Sequence, residues 1–299
     1  MSARPRTSIV IPTYNHAALL PTAVESALAQ TAPVEVVVVD DGSTDDTGAL
    51  VRARWGERVR YVRQPNAGLG AARNTGIVHA TADTLTFLDA DDALVPESVA
   101  RRLAVLDARP DVGWVYSDVF VMDAGGTVTG RCSEQYGYAA RRRDGRLFEE
   151  LLRGNFIPVH AVLVRRACLD AVGTFDAGAR AKEDWDLWVR VAHEYPAAYV
   201  PEALAYVRRT AGSMMTDRTV MAEATLRAMA RIEARYPAEV AGAAADWRRM
   251  RAQQYLEIAV SGARSRSRGA RLHAVLRAIA VRPVQGAAYR TLARLVAGR

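Results

Sequence analysis

The sequence predicts an α/β fold: a mostly parallel sheet flanked by helices, followed by an α-helical C-terminal extension. Three observations predict it. Short β-branched or apolar runs alternate with helical periodicity from the N-terminus onward; two of those runs, Val36-Val37-Val38-Val39 and Leu85-Thr86-Phe87-Leu88, end directly in carboxylates; and the chain beyond Asp217 is helical in pattern throughout. Apolar runs bounded by turn residues are the pattern of strands buried on both faces. The clusters Asp40-Asp41-Gly42-Ser43 and Asp89-Ala90-Asp91-Asp92 then sit at strand C-terminal ends, where open α/β sheets bind ligands. Carboxylates converging on one crevice repel each other unless a cation or polar ligand joins them. The pattern asks for a metal and something phosphorylated.

Taken in order, Ser8 to Ile11 reads as a strand, Ala17 to Gln30 as a helix, Val34 to Val39 as a strand, and Thr44 to Arg54 as a helix with Ser43 or Asp45 at its start. Val59 to Val62, Gly70 to His79, Leu85 to Leu88 and Ser98 to Ala108 continue the alternation as a βαβ series. Val112 to Met122 is a longer strand that turns at Asp123-Ala124-Gly125-Gly126 into Thr127 to Thr129, a hairpin signal. From Arg131 to Gly145 the chain is polar, tyrosine-bearing and arginine-rich, and reads either as a mobile loop over the site or as a surface excursion. Leu147 to Leu152 is a helix, Val159 to Val164 a strand, Arg166 to Val172 a helical turn, Trp185 to Glu194 a helix stopped by Pro196, and Ala203 to Val207 a strand. In the extension Leu272, Val275, Leu276 and Ile279 fall at the spacing of one apolar helix face. The division expected is 1–216 for the α/β domain and 217–299 for the helical extension.

At 299 residues, half of them apolar, the chain can bury a large core. Met1 to Thr7 lacks the apolar region of a signal peptide and no apolar stretch is long enough to span a bilayer, so a cytoplasmic location is expected. Cys132 and Cys168 lack metal-ligand spacing and read as reduced structural thiols. The net charge of +7 is unevenly spread: from Trp247 to Arg299 twelve arginines face the single acid Glu257. Such asymmetry suits an anionic surface. No nucleic-acid-binding motif accompanies it, so no nucleic acid partner is expected. The two readings of the basic helices are peripheral contact with the inner face of a membrane, and packing on the α/β domain or a second subunit in a homodimer.

The chemistry-bearing groups divide along the chain. In Pro12-Thr13-Tyr14-Asn15 a proline stops the strand, and Tyr14 either flanks a nucleobase or caps the sheet edge. In Asp40-Asp41-Gly42-Ser43 one carboxylate can accept from a base N–H while Ser43 caps the following helix. Asn66-Ala67-Gly68-Leu69-Gly70 with Arg73-Asn74 offers free N–H groups and a guanidinium to a phosphate, or merely ties a loop down. Asp89 and Asp91 alternate along an extended segment and point the same way, so the pair can share a cation or split between ribose and metal, or else be a solvated acidic loop. Mg²⁺ or Mn²⁺ takes such oxygen ligands and keeps positions open for diphosphate oxygens. Glu183-Asp184-Trp185-Asp186 opens a helix, where acids are also favoured by the dipole alone.

These motifs, in this order from about Thr7 to Met215, resemble the family 2 glycosyltransferases, inverting enzymes of the GT-A (Rossmann-like) fold that move a sugar from a nucleotide diphosphate to an acceptor hydroxyl. The likeness rests on Ile11 to Asn15, Val39 to Asp45, Asn66-Ala67-Gly68 with Ala72-Arg73-Asn74, Leu88 to Asp92, and Glu183 to Trp188. It implies that Pro12, Tyr14 and Asp41 surround the base with Asp40 beside them, that Asp89 approaches ribose and donor sugar, that Asp91 holds the divalent ion, and that Asp184 is the general base. Glu183 would position acceptor or loop, and Trp185 would line the sugar pocket or pack as a buried indole. His160, in Asn155-Phe156-Ile157-Pro158-Val159-His160, matches a stretch near the acceptor side in the family, or is structural. The processive-synthase signature Gln-x-x-Arg-Trp is absent. In Tyr206 to Ser213, where many relatives carry a histidine, this chain has arginine or threonine, and Arg208 or Arg209 is the replacement contact for the diphosphate. The donor expected is a nucleotide-sugar with a uracil or thymine base, the acceptor a saccharide or lipid-linked group. Two rivals stand: a sugar-phosphate nucleotidyltransferase would open with a glycine-rich phosphate loop where this chain has Pro12 to His16, and a non-catalytic nucleotide-sugar binder would not need Asp184.

Overall fold

A computed structural model describes residues 4–210, 217–261 and 266–297. The expected alternation is present as β1 (Thr7–Thr13), α1 (Leu20–Leu28), β2 (Val34–Asp40), α2 (Thr47–Arg54), β3 (Arg60–Arg63), α3 (Leu69–His79) and β4 (Thr84–Phe87). After it come β5 (Ala93–Leu94), α4 (Ser98–Ala108), β6 (Trp114–Met122), β7 (Val128–Arg131), α5 (Cys132–Gln135), α6 (Phe148–Leu152), β8 (Val162–Arg165), α7 (Arg166–Val172), α8 (Glu183–Glu194) and β9 (Ala197–Arg208). The strands join in the order β3-β2-β1-β4-β8-β6-β9-β5, with β7 paired to β6. β3, β2, β1 and β4 are mutually parallel. β8 then runs antiparallel to both β4 and β6, so the sheet is parallel in one half and mixed in the other.

The order 3-2-1-4 creates a switch point: the chain grows outward from β1 through β2 and β3, then returns to the other flank of β1. A crevice opens outside the strand C-termini where the direction reverses. Pro12 widens it. Leu88 N donates to Val10 O, and by the alternation of parallel pairing residue 12 supplies the next donor facing β4. Proline has none, and the β1–β4 ladder stops at Val10–Phe87 while β1–β2 continues to Thr13–Asp40.

Beneath the site, α8 is buried almost all round, with Trp185, Leu187, Trp188, Val189 and Val191 each at 1% exposure or less. Trp188 stacks on Trp114 of β6 at 5.8 Å between ring centroids. A helix so enclosed is an interior element, and its first turn is fixed with it. β9 is longer than the predicted Ala203 to Val207 because Pro201 and Glu202 interrupt the apolar pattern. Both residues fall in a bulge between the pairs Ser117–Val200 and Asp118–Ala203, one of the few places a strand tolerates proline. The polar segment after β7 is tied down: Asp118 of β6, 1% exposed, accepts from Arg142 Nη2 at 2.7 Å and from Ser133 Oγ at 2.6 Å. A surface excursion pinned by a buried ion pair replaces the mobile-loop reading.

The chain divides into two compact units, Met1–Phe148 with Asn155–Thr210, and Glu149–Gly154 with Ala211–Arg299. The second contains α9 (Arg218–Arg235), α10 (Pro237–Gly242), α11 (Ala244–Ser261), α12 (Arg268–Val281) and α13 (Gly286–Val296). Asp217 caps α9 by accepting from Thr219 N and Val220 N, both at 3.0 Å. The core of this unit gathers Ile258, Ala274, Val275, Ala278, Ala288 and Leu295, with Leu272 and Ile279 packed against it. Leu276 does not join them and is 53% exposed: the buried face of α12 is turned toward Ala274 and Ala278, whose small side chains let neighbouring helices approach.

Candidate functional site

Every residue assigned a role from sequence lies in the first unit: most lie at or follow the C-terminal ends of its strands or open α8, Arg73 is on α3, and His160 is on a turn before β8. Two loops form one wall. Asn15, in a left-handed conformation at φ 54°, accepts from Thr44 N at 2.7 Å through Oδ1, while its own N–H donates to Ser43 Oγ at 3.0 Å. The loops after β1 and β2 are thereby clamped, and Ser43 serves the clamp in place of capping a helix. Tyr14, at the tip, is 46% exposed and Pro12 is buried.

Asp40 and Asp41 are both buried and both engaged. Asp40 accepts from Ser43 N at 2.7 Å and from the Tyr61 hydroxyl at 2.5 Å. Asp41 accepts from Gln64 Nε2 at 2.7 Å, Ala67 N at 2.9 Å and Gly68 N at 2.8 Å. The pair therefore organises the glycine loop before α3. Gly42 makes the close approach feasible: at φ +82° a Cβ there would stand 2.8 Å from Asn66 N.

Arg73, read from sequence as meeting a phosphate or tying its loop down, is engaged by protein carboxylates. It is 1% exposed, donates to Asp89 Oδ1 at 2.6 Å through Nη2 and to Glu183 through Nη1, and lies 5.3 Å from the Phe175 ring centroid. One buried guanidinium thus ties the loop after β4 to the first turn of α8. Burial works against an ionised Asp89, yet the charge and hydrogen bond of Arg73, with the nearby His160 and His16, together hold the carboxyl below its ordinary range.

Asp184 stands next in sequence to the Arg73 partner Glu183. Its Oδ2 accepts from Asn155 Nδ2 at 2.9 Å and its Oδ1 from Trp185 N at 2.7 Å. Burial, followed by the Glu183 charge, pushes its pKa up to about 6. The turn carrying it starts from Lys182 at φ 65°. Among the described residues Asn15 and Lys182 are the two non-glycine positions with positive φ, a conformation costing on the order of 1–2 kcal/mol. Both adjoin the crevice, where such strain tends to collect. Trp185, 1% exposed, packs in the interior.

The acidic loop after β4 holds three carboxylates in distinct surroundings. Asp91 is raised in pKa by burial and by Asp89, and its carbonyl accepts from Arg208 Nε at 3.0 Å. Asp92 is fully enclosed; it accepts from Arg208 N at 2.7 Å, and burial with the Asp89 and Asp91 charges pushes its carboxyl well above the ordinary range. Arg208 is spent on this loop and on Ala124 O, and Arg209 lies 5.2 Å from the Tyr136 ring centroid. The rest of that stretch, 211–213, is outside the described residues. His160, on a 3-10 turn before β8, is 3% exposed; burial lowers its pKa to about 4, and neither ring nitrogen has a hydrogen-bond partner. One ligand atom each from Asp89, Asp92 and His160 lie within 4.8 Å of one another. The group does not include Asp91. Asp92, Asn155 and Asn15 carry no role in the sequence reading, although each lies within a motif quoted there.

A parallel half-sheet with acidic loops at its switch point and an acid pair heading a buried helix defines a GT-A-type α/β domain. The model of the family described as Glycosyl transferase family 2 matches residues 8–172, and the chain belongs to that family. A PGL/p-HBAD biosynthesis glycosyltransferase of Mycobacterium tuberculosis is 32% identical over 193 residues, covering 63% of this chain and 70% of that protein. Other curated relatives are longer: the chain spans 58% of the length of one that it matches at 29% identity, an uncharacterized glycosyltransferase of Rickettsia prowazekii. Among solved structures, a mannosyltransferase of Pyrobaculum calidifontis in complex with GDP-Man and Mn²⁺ shares the fold at TM-score 0.64 and 21% identity, covering 100% of this chain and 89% of that one. S. aureus TarS 1-349, in complex with UDP-GlcNAc, does so at 0.62 and 17%, covering 98% and 92%.

Proposed function

We propose that the chain is a metal-dependent inverting glycosyltransferase, moving a sugar from a nucleotide-diphospho-sugar, a UDP- or dTDP-sugar, to a hydroxyl of a saccharide or lipid-linked acceptor in polysaccharide, glycolipid or other glycoconjugate synthesis. The observation that carries the reading is Asp184: a carboxylate oriented by Asn155, raised to about 6, and joined through Glu183 and Arg73 to Asp89 of the acidic loop. A binding protein has no use for a base held in that way.

In the proposed reaction the acceptor oxygen attacks the anomeric carbon as the bond to the diphosphate breaks, and the hydroxyl proton passes to Asp184. A carboxylate within hydrogen-bond reach can take that proton as the new C–O bond forms, although its pKa lies far below that of an alcohol. Attack from the face opposite the leaving group inverts the configuration. Asp89 would meet ribose and donor sugar, Tyr14 the base, and the neighbouring Asp40 and Asp41 would shape that pocket through the loops they hold. Carboxylates beside a buried imidazole with no hydrogen-bond partner fit a divalent cation, Mg²⁺ or Mn²⁺, held by the loop from Asp89 to Asp92. Such a cation supplies neutralisation of the charge gathering on the departing diphosphate.

The test is a nucleotide-release screen against a panel of donors, with and without Mn²⁺ or Mg²⁺, repeated on Asp184→Asn. Transfer should be lost by several orders of magnitude while donor binding, read by calorimetry, stays within a few-fold. Full activity in the variant would sink the assignment.

A further inference from the structure

Lys182 is the only lysine among the 40 basic residues of the chain, and it immediately precedes the acid pair Glu183-Asp184 at the head of α8. Its backbone is left-handed at φ 65°, where glycine or asparagine would be at ease and lysine is strained. A cation at the N-terminus of this 12-residue helix also opposes the helix dipole, which favours acids there. Among the described residues its ammonium has neither a hydrogen-bond nor an ion-pair partner, whereas two acids of the first turn are matched, Glu183 with Arg73 and Asp186 with Arg190 at 3.0 Å. The remaining acid of that turn, Asp184, bonds instead to two neutral donors, the Asn155 amide and the Trp185 N–H. Strain, an unfavourable dipole and an unmatched charge thus meet beside the proposed base.

We infer that Lys182 is a positioning residue for the proposed transfer: its ammonium stands near Asp184 without bonding it, keeping the carboxylate ionised and its remaining lone pairs open to the acceptor proton. Two residues of chain span at most about 7 Å, so the two charges share one neighbourhood. Burial and then Glu183 oppose the ionised form of Asp184, while Lys182, followed by Arg73 of α3, favours it. A carboxylate offers about four lone-pair sites, and the two bonds to Asn155 and Trp185 leave the others for substrate. Lysine suits this task better than arginine. A guanidinium locks onto a carboxylate in a two-pronged pair that would occupy the base, whereas an ammonium is a compact charge on a flexible stem. The role rests on the reading of Asp184 as the base, and its first test needs neither donor nor turnover.

The full chain, labelled with ¹³C at its aspartate carboxyls, is titrated by NMR, the Asp184 resonance being the one absent from Asp184→Asn. Unit charges about 7 Å apart in a partly solvated site are worth roughly half to one pH unit, so Lys182→Met should raise the Asp184 midpoint from about 6 by that amount. Lys182→Gly, which removes the charge and relieves the backbone, should raise it equally without lowering the urea midpoint of unfolding. Lys182→Arg, which keeps the charge, should not raise it. In the transfer assay, kcat of Lys182→Met at pH 6 should fall about two- to fivefold while the plateau above about pH 8 stays near that of the unsubstituted chain. A midpoint unmoved by Lys182→Met overturns the role. So does a midpoint raised alike by Lys182→Met and Lys182→Arg, which would show that the side chain acts through packing and not through charge. If the midpoint moves as expected but no donor supports transfer, the control of Asp184 by Lys182 stands and the proposed reaction fails instead.

Discussion

Arg73 is the residue on which the acidic groups of the site depend. Enclosed and shared between Asp89 and Glu183, it lets two carboxylates sit in a poorly solvated crevice, and removing it would leave at least one of them buried without a counter-charge. Arg73→Met should therefore lower stability by about 3–5 kcal/mol, read as a shift in urea midpoint, and Glu183→Gln in the same background should recover part of the loss. Asp184 gives the pH behaviour. On its proposed role as base, with a pKa of about 6, Asp184 would be protonated and idle in more acidic solution, so kcat should fall about tenfold per pH unit below that value and level off above it. The effect of this group on stability has the opposite sign. A carboxyl raised from 3.8 to about 6 binds its proton more tightly in the folded state, so its contribution is largest below 3.8 and is lost as pH rises through about 6. A rate that kept its plateau down to pH 4.5 would remove Asp184 as the base. The acids at strand ends were legible in sequence because a strand that stops in carboxylates has few bland explanations. The task of Arg73 was not, because its partners lie 16 and 110 positions away and no local pattern records them.

At the scale of elements, the segment between β7 and α6 shows why periodicity reached its limit. Tyr136, Tyr138 and several arginines without a regular spacing read as loop, yet Arg142 and Asp118 are each 2% exposed in their side chains and paired, and the Tyr199 hydroxyl accepts from Arg142 Nη1 at 3.2 Å. One long-range ion pair decides the order of a dozen residues that carry no periodic signal. Arg142→Leu should accelerate tryptic cleavage at Arg141 and Arg143 and destabilise the fold by about 3–5 kcal/mol, whereas the double variant Asp118→Leu/Arg142→Leu should be markedly milder, because a buried pair replaced by apolar groups leaves no orphaned charge. Equal susceptibility of single and double variants would show that the pair does not hold the segment. The parallel strands β1 to β4 were legible for the contrary reason. β1, β2 and β4 are short apolar runs, the first closed by Pro12 and the other two leading into Asp40 and Asp89, and the helices between them fit the crossover such strands require. The reversal at β8 and the short antiparallel β5 beside β9 escaped, since strand pairing and direction depend on where the chain returns and not on local composition.

The charge of the whole molecule is concentrated where the candidate chemistry is not. The second unit holds a run of arginines that its few acids do not balance, and on α12 and α13 exposed apolar side chains stand beside exposed arginines: Leu276, 53% exposed, next to Arg277, and Tyr289 and Val296, at 47% and 64%, near Arg290 and Arg294. Among the described residues no helix is long and apolar enough to cross a membrane. Apolar side chains interleaved with cations are what an interfacial helix needs, the former entering the acyl boundary and the latter meeting anionic headgroups. Near such a surface each arginine adds about 1 kcal/mol, an attraction screened within a Debye length of about 8 Å at physiological salt. We therefore expect the full chain to float with phosphatidylglycerol liposomes at low salt, to be released as salt rises toward 0.5 M, and to ignore phosphatidylcholine liposomes. The double variant Leu276→Ser/Tyr289→Ser should retain the salt-sensitive attraction but float less at intermediate salt, separating the apolar contribution from the electrostatic one. Flotation independent of anionic lipid would assign the basic face to packing within an assembly instead, and sedimentation of the same samples would then show a dimer.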